Sequence, residues 1–438
     1  MNYDAQKVTY QEVTIFDRPA LFTECRIDRA TVPEGVYRYE LRHGDADWGE
    51  PIELSRSLMV NFYGTVLTRE PFQLPIDGWI PLESGSLVHY ILEHVMRRAG
   101  AEFPRLAPEE LARLAGEVAD QYVAENMPAA GRRFAYLVER LKRGVTRLLA
   151  YLQAEQAQSL FHPAAFEQEI GTGEGAVPPL TLRTPDGRTV QVQGKIDRVD
   201  VMEREGRTYL RVVDYKTGKS DFDLLKTFYG LKLQLVTYMK AAQRIEKKRH
   251  PDKNIIPAGI LYYNIDNPII EVQSMPDEED ADYREAVDEM ILENLRMKGV
   301  VNEDTEIIRK MDDRGGKSAV IPVAFKSNGE LDMRSHIYST QKFEQLTDYV
   351  TEKSADMAAG IFGGNVDVNP YHTQKEDACT YCPYHAVCGF SPDIPGGQSR
   401  SLKTFSDEEI WKKIREGVDE NGKPLDRKTV QGNPDKRL

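Results

Sequence analysis

The sequence predicts an α/β protein in which a mixed central sheet is flanked by helices and preceded by a small β-rich N-terminal domain. Three observations predict this class. The first 72 residues alternate short β-branched and aromatic segments with turn sequences such as VPEG and HGDADWGE. Apolar residues then recur at three- and four-residue steps to about residue 160, the periodicity of amphipathic helices. Between residues 165 and 270, five strand-like segments and one helical segment follow, with hairpin turns at PDG and REG.

These changes of pattern predict the organisation of the chain. The expected parts are a β-rich domain at 1–72, the helical part of a larger domain at 73–160, its α/β core at 161–300, a helical C-terminal part at 301–395 and a polar tail at 396–438. Within the helical part, SGSLVHYILEHVMRRAG predicts a helix that begins at a serine cap.

Composition narrows the functional class. Of the 438 residues, 40% are hydrophobic and 29% are charged, and no run approaches the roughly 18 apolar residues of a membrane span. The N-terminus has no basic region followed by an apolar one, so a cytoplasmic location without a membrane partner is expected. The net charge of −13 does not exclude nucleic acid as a partner, because binding requires only a local basic groove.

The stretch VVDYKTGKSD, at 212–221, has two possible interpretations. Its GKS resembles the end of a phosphate-binding loop, which needs a glycine five residues before the second glycine of the motif. Val213 stands at that position, and Met311 stands there for the other GKS at 316–318. Neither segment is therefore a phosphate-binding loop of an ATPase.

The second interpretation is a metal site on a hairpin. Asp197 in GKIDRVD and Asp214 in VVDYKTG lie on consecutive strands joined by the REG turn, so antiparallel pairing places them side by side. Two adjacent carboxylates favour a hard cation such as Mg²⁺ or Mn²⁺. Lys216 faces the same way as Asp214 because strand side chains alternate, and it can orient a metal-bound water. An exposed salt bridge on a strand is the alternative for this pattern alone.

Neighbouring motifs connect this hairpin with a known family. Gln234 and Tyr238 share one face of the next helix, and His89 follows Gly85 in the first helix. In order and spacing, GSLVH, GKIDRVD, VVDYKTG and QLVTY resemble the RecB-like branch of the PD-(D/E)XK nucleases. From about residue 73 to 415, the chain most resembles the C-terminal nuclease domain of AddB-like proteins, which are subunits of bacterial helicase–nucleases that process double-strand breaks.

The resemblance implies a restriction-endonuclease-like core and a role for each motif residue. His89, Asp197, Asp214 and the carbonyl of Tyr215 would hold the metal, and Lys216 would assist the water. The same resemblance gives Gln234 and Tyr238 the task of positioning the hairpin or the DNA. Arg198 and Asp200, which lie beside the motif, are interpreted as a supporting salt bridge.

The cysteines are unevenly distributed. Cys379, Cys382 and Cys388 form a C-x₂-C-x₅-C arrangement, and so tight a spacing indicates metal binding. In AddB-like nucleases such a triplet joins one distant upstream cysteine around a [4Fe–4S] cluster. The remaining cysteine, Cys25, lies in a β-like segment 64 residues before the motif histidine, whereas the family's cysteine lies about thirty residues before it. Either Cys25 is the fourth ligand, or the cluster lacks one. Zinc with His372 or His385 as the fourth ligand is the competing interpretation.

Two functions follow from these motifs. The first is a metal-dependent deoxyribonuclease, an exonuclease on single-stranded DNA ends that acts in recombination and repair, with a separate helicase subunit as a possible partner. The second is a non-catalytic DNA-end-binding or structural module derived from such an enzyme. Residues 1–72, which replace the family's helicase-like part, resemble a large polyvalent protein-associated domain of phages and mobile elements. That resemblance implies no activity.

Overall fold

A computed structural model describes residues 8–15, 18–25, 36–39, 42–43, 46–47, 52–55, 81–126, 132–173, 175–216, 218, 220–265, 293–373, 376–380, 382–391, 397 and 399–425. The chain divides into two compact units. The first comprises Met1–Gly78 and Cys382–Gly389, and the second comprises Trp79–Tyr381 and Phe390–Leu438.

The strands are β1 Val8–Ile15, β2 Arg18–Cys25, β3 Val36–Tyr39, β4 Arg42–His43, β5 Ala46–Asp47, β6 Ile52–Ser55, β7 His162–Ile170, β8 Leu180–Arg183, β9 Thr189–Val192, β10 Gly194–Arg204, β11 Arg207–Lys216, β12 Asn254–Asn264, β13 Lys298–Asn302, β14 Ile337–Tyr338, β15 Tyr371–His372 and β16 Arg400–Ser401. The helices are α1 Pro81–Ala99, α2 Pro108–Asn126, α3 Arg132–Gln158, α4 Leu224–Phe228, α5 Gln234–Arg249, α6 Thr305–Met311, α7 Thr340–Phe362, α8 His385–Cys388 and α9 Asp407–Glu416, with a 3₁₀ helix at Gly100–Arg105.

Among its described residues, the first unit contains three antiparallel strand pairs, β1–β2, β3–β6 and β4–β5. The expected strands at VTYQEVTIF and GVYRYELR are thereby confirmed within the described residues. The third expected strand, LMVNFYGTVLT at 58–68, lies outside them. β-Branched and aromatic residues among polar ones favour the pairs β1–β2 and β3–β6.

The second unit is organised around a six-stranded mixed sheet. Its order is β14-β13-β12-β11-β10-β7, in which β11–β12 and β13–β14 are parallel and the other pairs are antiparallel. The predicted fold class is confirmed by this sheet and by the helices that pack on its two faces. The long connection after β11 contains α5, as a parallel β11–β12 crossover requires.

Side chains of the central strands point alternately to the two faces of the sheet, so each strand contributes to a core on both faces. Val213 points towards a core formed with α1, α2 and α3, whereas Val212 points towards a core formed with α5, α7 and α9. Both valines are completely buried, as are Leu149 on the first side and Met239 on the second. Since burial of such a side chain contributes roughly 1.5–3 kcal/mol, these two layers hold the sheet rigidly.

Some boundaries differ from the sequence pattern. Helix α1 begins at Pro81, three residues before the serine expected to cap it. Proline suits the first turn of a helix because its missing N–H has no partner there. Helix α9, within the segment expected to be a polar tail, begins directly after Ser406, which forms a reciprocal capping box with Glu409. Among the helices that the structure describes, none combines the length and apolar composition needed to cross a bilayer. The tail beyond residue 425 lies outside the described residues.

Candidate metal-dependent nuclease site

The two aspartates lie at the open end of the β10–β11 hairpin. Arg198 pairs with Val213 in antiparallel register, so Asp197 and Asp214 are the next cross-strand neighbours. Asp214 is 1% exposed and Asp197 is 8% exposed. The predicted pairing of GKIDRVD with VVDYKTG is confirmed. It places two carboxylates in a site with little solvent.

A histidine and a glutamate join these carboxylates. His89 of α1 has its Nδ1 3.3 Å from Glu167 Oε1 and 3.7 Å from Asp197 Oδ2. The ligand atoms of His89, Glu167 and Asp197 all lie within 4.8 Å of one another. An imidazole and carboxylates gathered this closely are a donor set that suits a divalent cation. The structure therefore brings His89 to Asp197, as the motifs predict.

Glu167 is the site residue that the sequence analysis missed. It lies on β7, where its flanking residues Phe166 and Gln168 pair with Arg198 and Ile196. This register places Glu167 opposite Asp197. Its backbone has φ of 45°, in the left-handed region that few residues other than glycine adopt. FEQEIG is recognisable as a strand in the sequence, but only its pairing with β10 in the structure brings Glu167 to the site.

Lys216, Gln234 and Tyr238 form a chain of contacts beside the aspartates. Lys216 Nζ lies 2.5 Å from Asp214 Oδ2 and 3.4 Å from Gln234 Oε1. Gln234 Nε2 lies 3.3 Å from Asp214 Oδ1 and donates to Tyr238 Oη at 3.1 Å. Asp214 and Lys216 thus face the same way along β11, towards the start of α5.

Tyr215 contributes its backbone and a buried ring. Its N–H donates to Asp197 Oδ2 at 2.7 Å, which fixes the carboxylate against β11. Its phenol oxygen accepts from Arg198 Nη1 at 3.1 Å, and burial raises the pKa of this phenol to about 12. The role of its carbonyl as a metal ligand stays a prediction.

Electrostatics indicate a site in need of positive charge. Burial raises the pKa of Asp197 to about 6, with the charge of His89 opposing the shift and that of Asp214 adding to it. Burial likewise raises the pKa of Asp214, although the hydrogen bond and charge of Lys216 oppose it. For His89, burial lowers the pKa, but the bond to Glu167 and the acidic charges outweigh it and the net shift is upward. Burial therefore disfavours the charged forms of Asp197 and Asp214, and a bound cation would favour them.

A buried ion network supports the hairpin from the other face. Arg198 Nε lies 2.9 Å from Asp200 Oδ1, and Arg211 Nε donates to Asp200 Oδ2 at 2.9 Å. Glu155 of α3 lies 2.7 Å from Arg211 and 3.6 Å from Arg198. The interpretation of Arg198 and Asp200 as a supporting salt bridge is confirmed, and the network extends to two residues that the sequence analysis did not name.

The cysteine segment is divided between the two compact units. Cys379 belongs to the second unit, and Cys382, Cys388 and Cys25 belong to the first. Cys379 and Cys382 are half-buried and Cys388 is exposed. Asp377 accepts from the N–H groups of Cys379 and Thr380 at 2.7 and 2.8 Å, which shapes the turn that begins the motif.

The fold, the hairpin carboxylates and the lysine define a class of protein. Residues 69–389 match the model of the PD-(D/E)XK nuclease superfamily, and the chain belongs to that superfamily. Residues 6–96 match the large polyvalent protein associated domain 28. Both resemblances predicted from the motifs are confirmed.

The curated relatives share one description, that of a subunit of an ATP-dependent helicase/deoxyribonuclease. The protein from Ruminiclostridium cellulolyticum is 33% identical over 346 residues, covering 77% of this chain and 29% of the relative. That from Lachnoclostridium phytofermentans is 33% identical over 367 residues, covering 80% and 30%. That from Clostridium kluyveri is 34% identical over 294 residues, covering 66% and 25%. The chain therefore spans at most about a third of the length of these relatives.

Proposed function

We propose that this chain is a divalent-metal-dependent deoxyribonuclease, an exonuclease that shortens single-stranded DNA ends during recombination and repair. The observation that carries the proposal is the meeting of His89, Glu167 and Asp197 within 4.8 Å, beside Asp214 and Lys216. The donor set fits Mg²⁺ or Mn²⁺, since it offers the oxygen atoms of carboxylates. Burial raises the pKa values of Asp197 and Asp214, and a bound cation would favour their charged forms. Bound there, the ion would polarise the phosphate and lower the pKa of an attacking water.

The protein's own residues prepare this chemistry. Asp197 is held by the N–H of Tyr215, so its orientation is set before any ligand binds. Lys216 is kept close to Asp214 and Gln234, from where its ammonium can orient the water and offset charge on the attacked phosphate. Lys195 donates to Glu167 at 2.5 Å and thereby fixes the carboxylate that faces His89.

The relatives and the two GKS segments of the sequence support the proposed substrate and partner. The relatives are described as helicase/deoxyribonuclease subunits, which supports DNA as substrate, a separate helicase as partner and a cytoplasmic location. Since neither GKS segment forms a phosphate-binding loop, the chain has no means of unwinding duplex by itself. The purified chain should digest frayed or single-stranded ends and leave blunt duplex nearly untouched.

The cysteines would hold a second metal centre. We propose a [4Fe–4S] cluster on Cys379, Cys382 and Cys388, with Cys25 as the fourth ligand, supported by their spacing. Zinc is the alternative centre. The observation that favours zinc is His372, whose buried Nδ1 has no hydrogen-bond partner among the described residues. Metal analysis of anaerobically purified protein decides: about four irons per chain support the cluster, and one zinc without iron refutes it.

The catalytic proposal is tested by digestion of end-labelled single-stranded DNA with Mg²⁺, and with EDTA as a blank. Asp214→Asn and Lys216→Ala should each lower the rate by about 10²–10³-fold, because the first removes a proposed metal ligand and the second removes the ammonium beside the attacked phosphate. Asp252→Asn and Lys412→Ala are matched controls, since both residues are exposed. Asp252 lies near the turn of the β10–β11 hairpin, at the end opposite the two aspartates. Undiminished cleavage in either site variant would refute the assignment.

The second candidate, a non-catalytic DNA-end-binding module, predicts a different result from the same assay. Wild-type protein would then bind single-stranded DNA and leave it uncut at every Mg²⁺ or Mn²⁺ concentration. The intact set of His89, Asp197, Asp214 and Lys216 favours catalysis.

A further inference from the structure

A cleft of about 300 Å³ opens directly beside the candidate metal site. Its walls are the β8–β9 hairpin, the first two turns of α5 and the middle of α7. Gln234 and Tyr238 line it, and Gln234 also contacts Asp214 and Lys216. Anything bound in the cleft would therefore lie one side chain away from the reacting phosphate.

The lining is neutral and mostly apolar. Leu180 and Leu182 form a buried floor, and Val192 and Leu233 continue it on either side. Of the described residues that line the cleft, none carries a charge. A phosphate would meet no cation there, so the backbone of a nucleic acid does not fit the lining. An uncharged, flat group fits this lining.

Polar groups stand where such a flat group would present its edge. Thr351 Oγ1 donates to Thr347 O at 2.7 Å, and Ser354 Oγ donates to Val350 O at 2.7 Å. With their hydrogens used within α7, both hydroxyls offer lone pairs to the cleft. Acceptors beside an apolar floor suit the N–H groups on the edge of a nucleobase.

The aromatic ring on the rim is held in a fixed position. Tyr238 accepts a hydrogen bond from Gln234, and its ring packs against Gly194 at the start of β10. A Cβ at Gly194 would lie 3.3 Å from Tyr238 Cε1 and Oη, so glycine permits this close approach. Asp197 follows three residues later on the same strand. The ring thus joins the metal-site strand to the cleft and offers a face on which a base can stack.

We propose that this cleft receives one unpaired nucleobase of the DNA strand held at the metal site. The inference rests on the proposed function and deepens it. A base stacked and paired inside a duplex cannot enter without being extruded, which is least costly for an unpaired base. The cleft therefore supplies a structural reason for preferring single-stranded or frayed ends.

The test measures binding rather than cleavage. Single-stranded oligonucleotides with one abasic residue, scanned along the strand, are titrated against wild-type protein with Ca²⁺ in place of Mg²⁺. One position should stand out, with affinity lowered roughly tenfold by loss of a stacked base. Ser354→Phe, which fills the cleft from α7, should bind intact and abasic strands equally. Gln341→Phe, exposed on the same helix, should behave like wild type.

Each outcome decides a different claim. Equal affinity of wild type for every abasic strand overturns the cleft proposal, even if cleavage is rapid. A position-dependent loss without any metal-dependent cleavage overturns the nuclease proposal and leaves the cleft standing. Absence of DNA binding overturns both. Should Ser354→Phe fail to fold, Thr351→Phe replaces it, and the abasic scan on wild type still decides.

Discussion

Neutralising Asp200 should destabilise the nuclease unit strongly. The carboxylate is completely buried and contacts two completely buried guanidinium groups, those of Arg198 and Arg211. In wild type, Asp200 and Glu155 balance the two positive charges. Asp200→Asn leaves one positive charge without compensation, and breaking a buried pair in this way costs about 3–5 kcal/mol. The midpoint of thermal unfolding, measured by circular dichroism, should fall by roughly 10 °C.

The charge balance can be tested within the same network. Asp252→Asn, at an exposed turn, should leave the midpoint unchanged. Asp200→Asn combined with Arg211→Met leaves Arg198 paired with Glu155 and should recover part of the loss. The reasoning would be refuted if Asp200→Asn unfolded at the same midpoint as wild type, or if the double variant had a lower midpoint than the single one.

The same network predicts the effect of acid. Burial raises the pKa of Asp200, but the charges of Arg198 and Arg211 outweigh it, so the folded pKa lies below the usual value. A carboxylate with a depressed folded pKa contributes stability above its unfolded pKa of about 3.9, and this is lost as the pH falls through the folded value. The stability difference between wild type and Asp200→Asn should therefore be full near pH 7 and shrink below about pH 4.

Three further predictions concern the site and its support. Glu167→Gln should weaken Mn²⁺ binding by about 10–100-fold with an unchanged melting midpoint in the absence of metal, measured by titration calorimetry; unchanged affinity would exclude Glu167 from the metal site. Gly299→Ala should lower the free energy of unfolding in urea by about 1–3 kcal/mol, because Gly299 has φ of 133° and a Cβ there would lie 2.2 Å from Ile260 O. A substitution without effect would contradict the β12–β13 register. Cys382→Ser should lower thermal stability and DNA binding together, since metal binding in such centres contributes to folding; loss of turnover alone would contradict a structural role.

The β10–β11 hairpin could be predicted because the information that specifies it is local. Two strand-like segments joined by a tight turn fix their own register, and alternation then decides which side chains share a face. This is why the sequence predicted that Asp197, Asp214 and Lys216 lie together, whereas their roles were implied by the resemblance. His89 could be placed only through the resemblance, since nothing local connects a helix at residue 89 with a strand at residue 197.

The features that could not be predicted from the sequence depend on contacts between distant segments. Glu167 joins the site because β7 pairs with β10 on the side opposite β11. The order of strands in a sheet cannot be deduced from the hydrophobic periodicity of the sequence. Arg211 resembles a surface residue in the sequence, yet it is completely buried because Glu155 of α3 reaches it. The cleft needs α7, which begins more than a hundred residues after the hairpin that faces it. Its walls therefore become visible only once the helices are packed.

The central claim is that a divalent ion binds between His89, Asp197 and Asp214. It is tested most directly by an anomalous difference map from a crystal of the wild-type chain soaked in Mn²⁺. The account predicts a peak about 2.0–2.3 Å from the carboxylate oxygens of both aspartates, with His89 or Glu167 as a further ligand. A map with no peak at the hairpin, from crystals that show manganese elsewhere, would contradict the account.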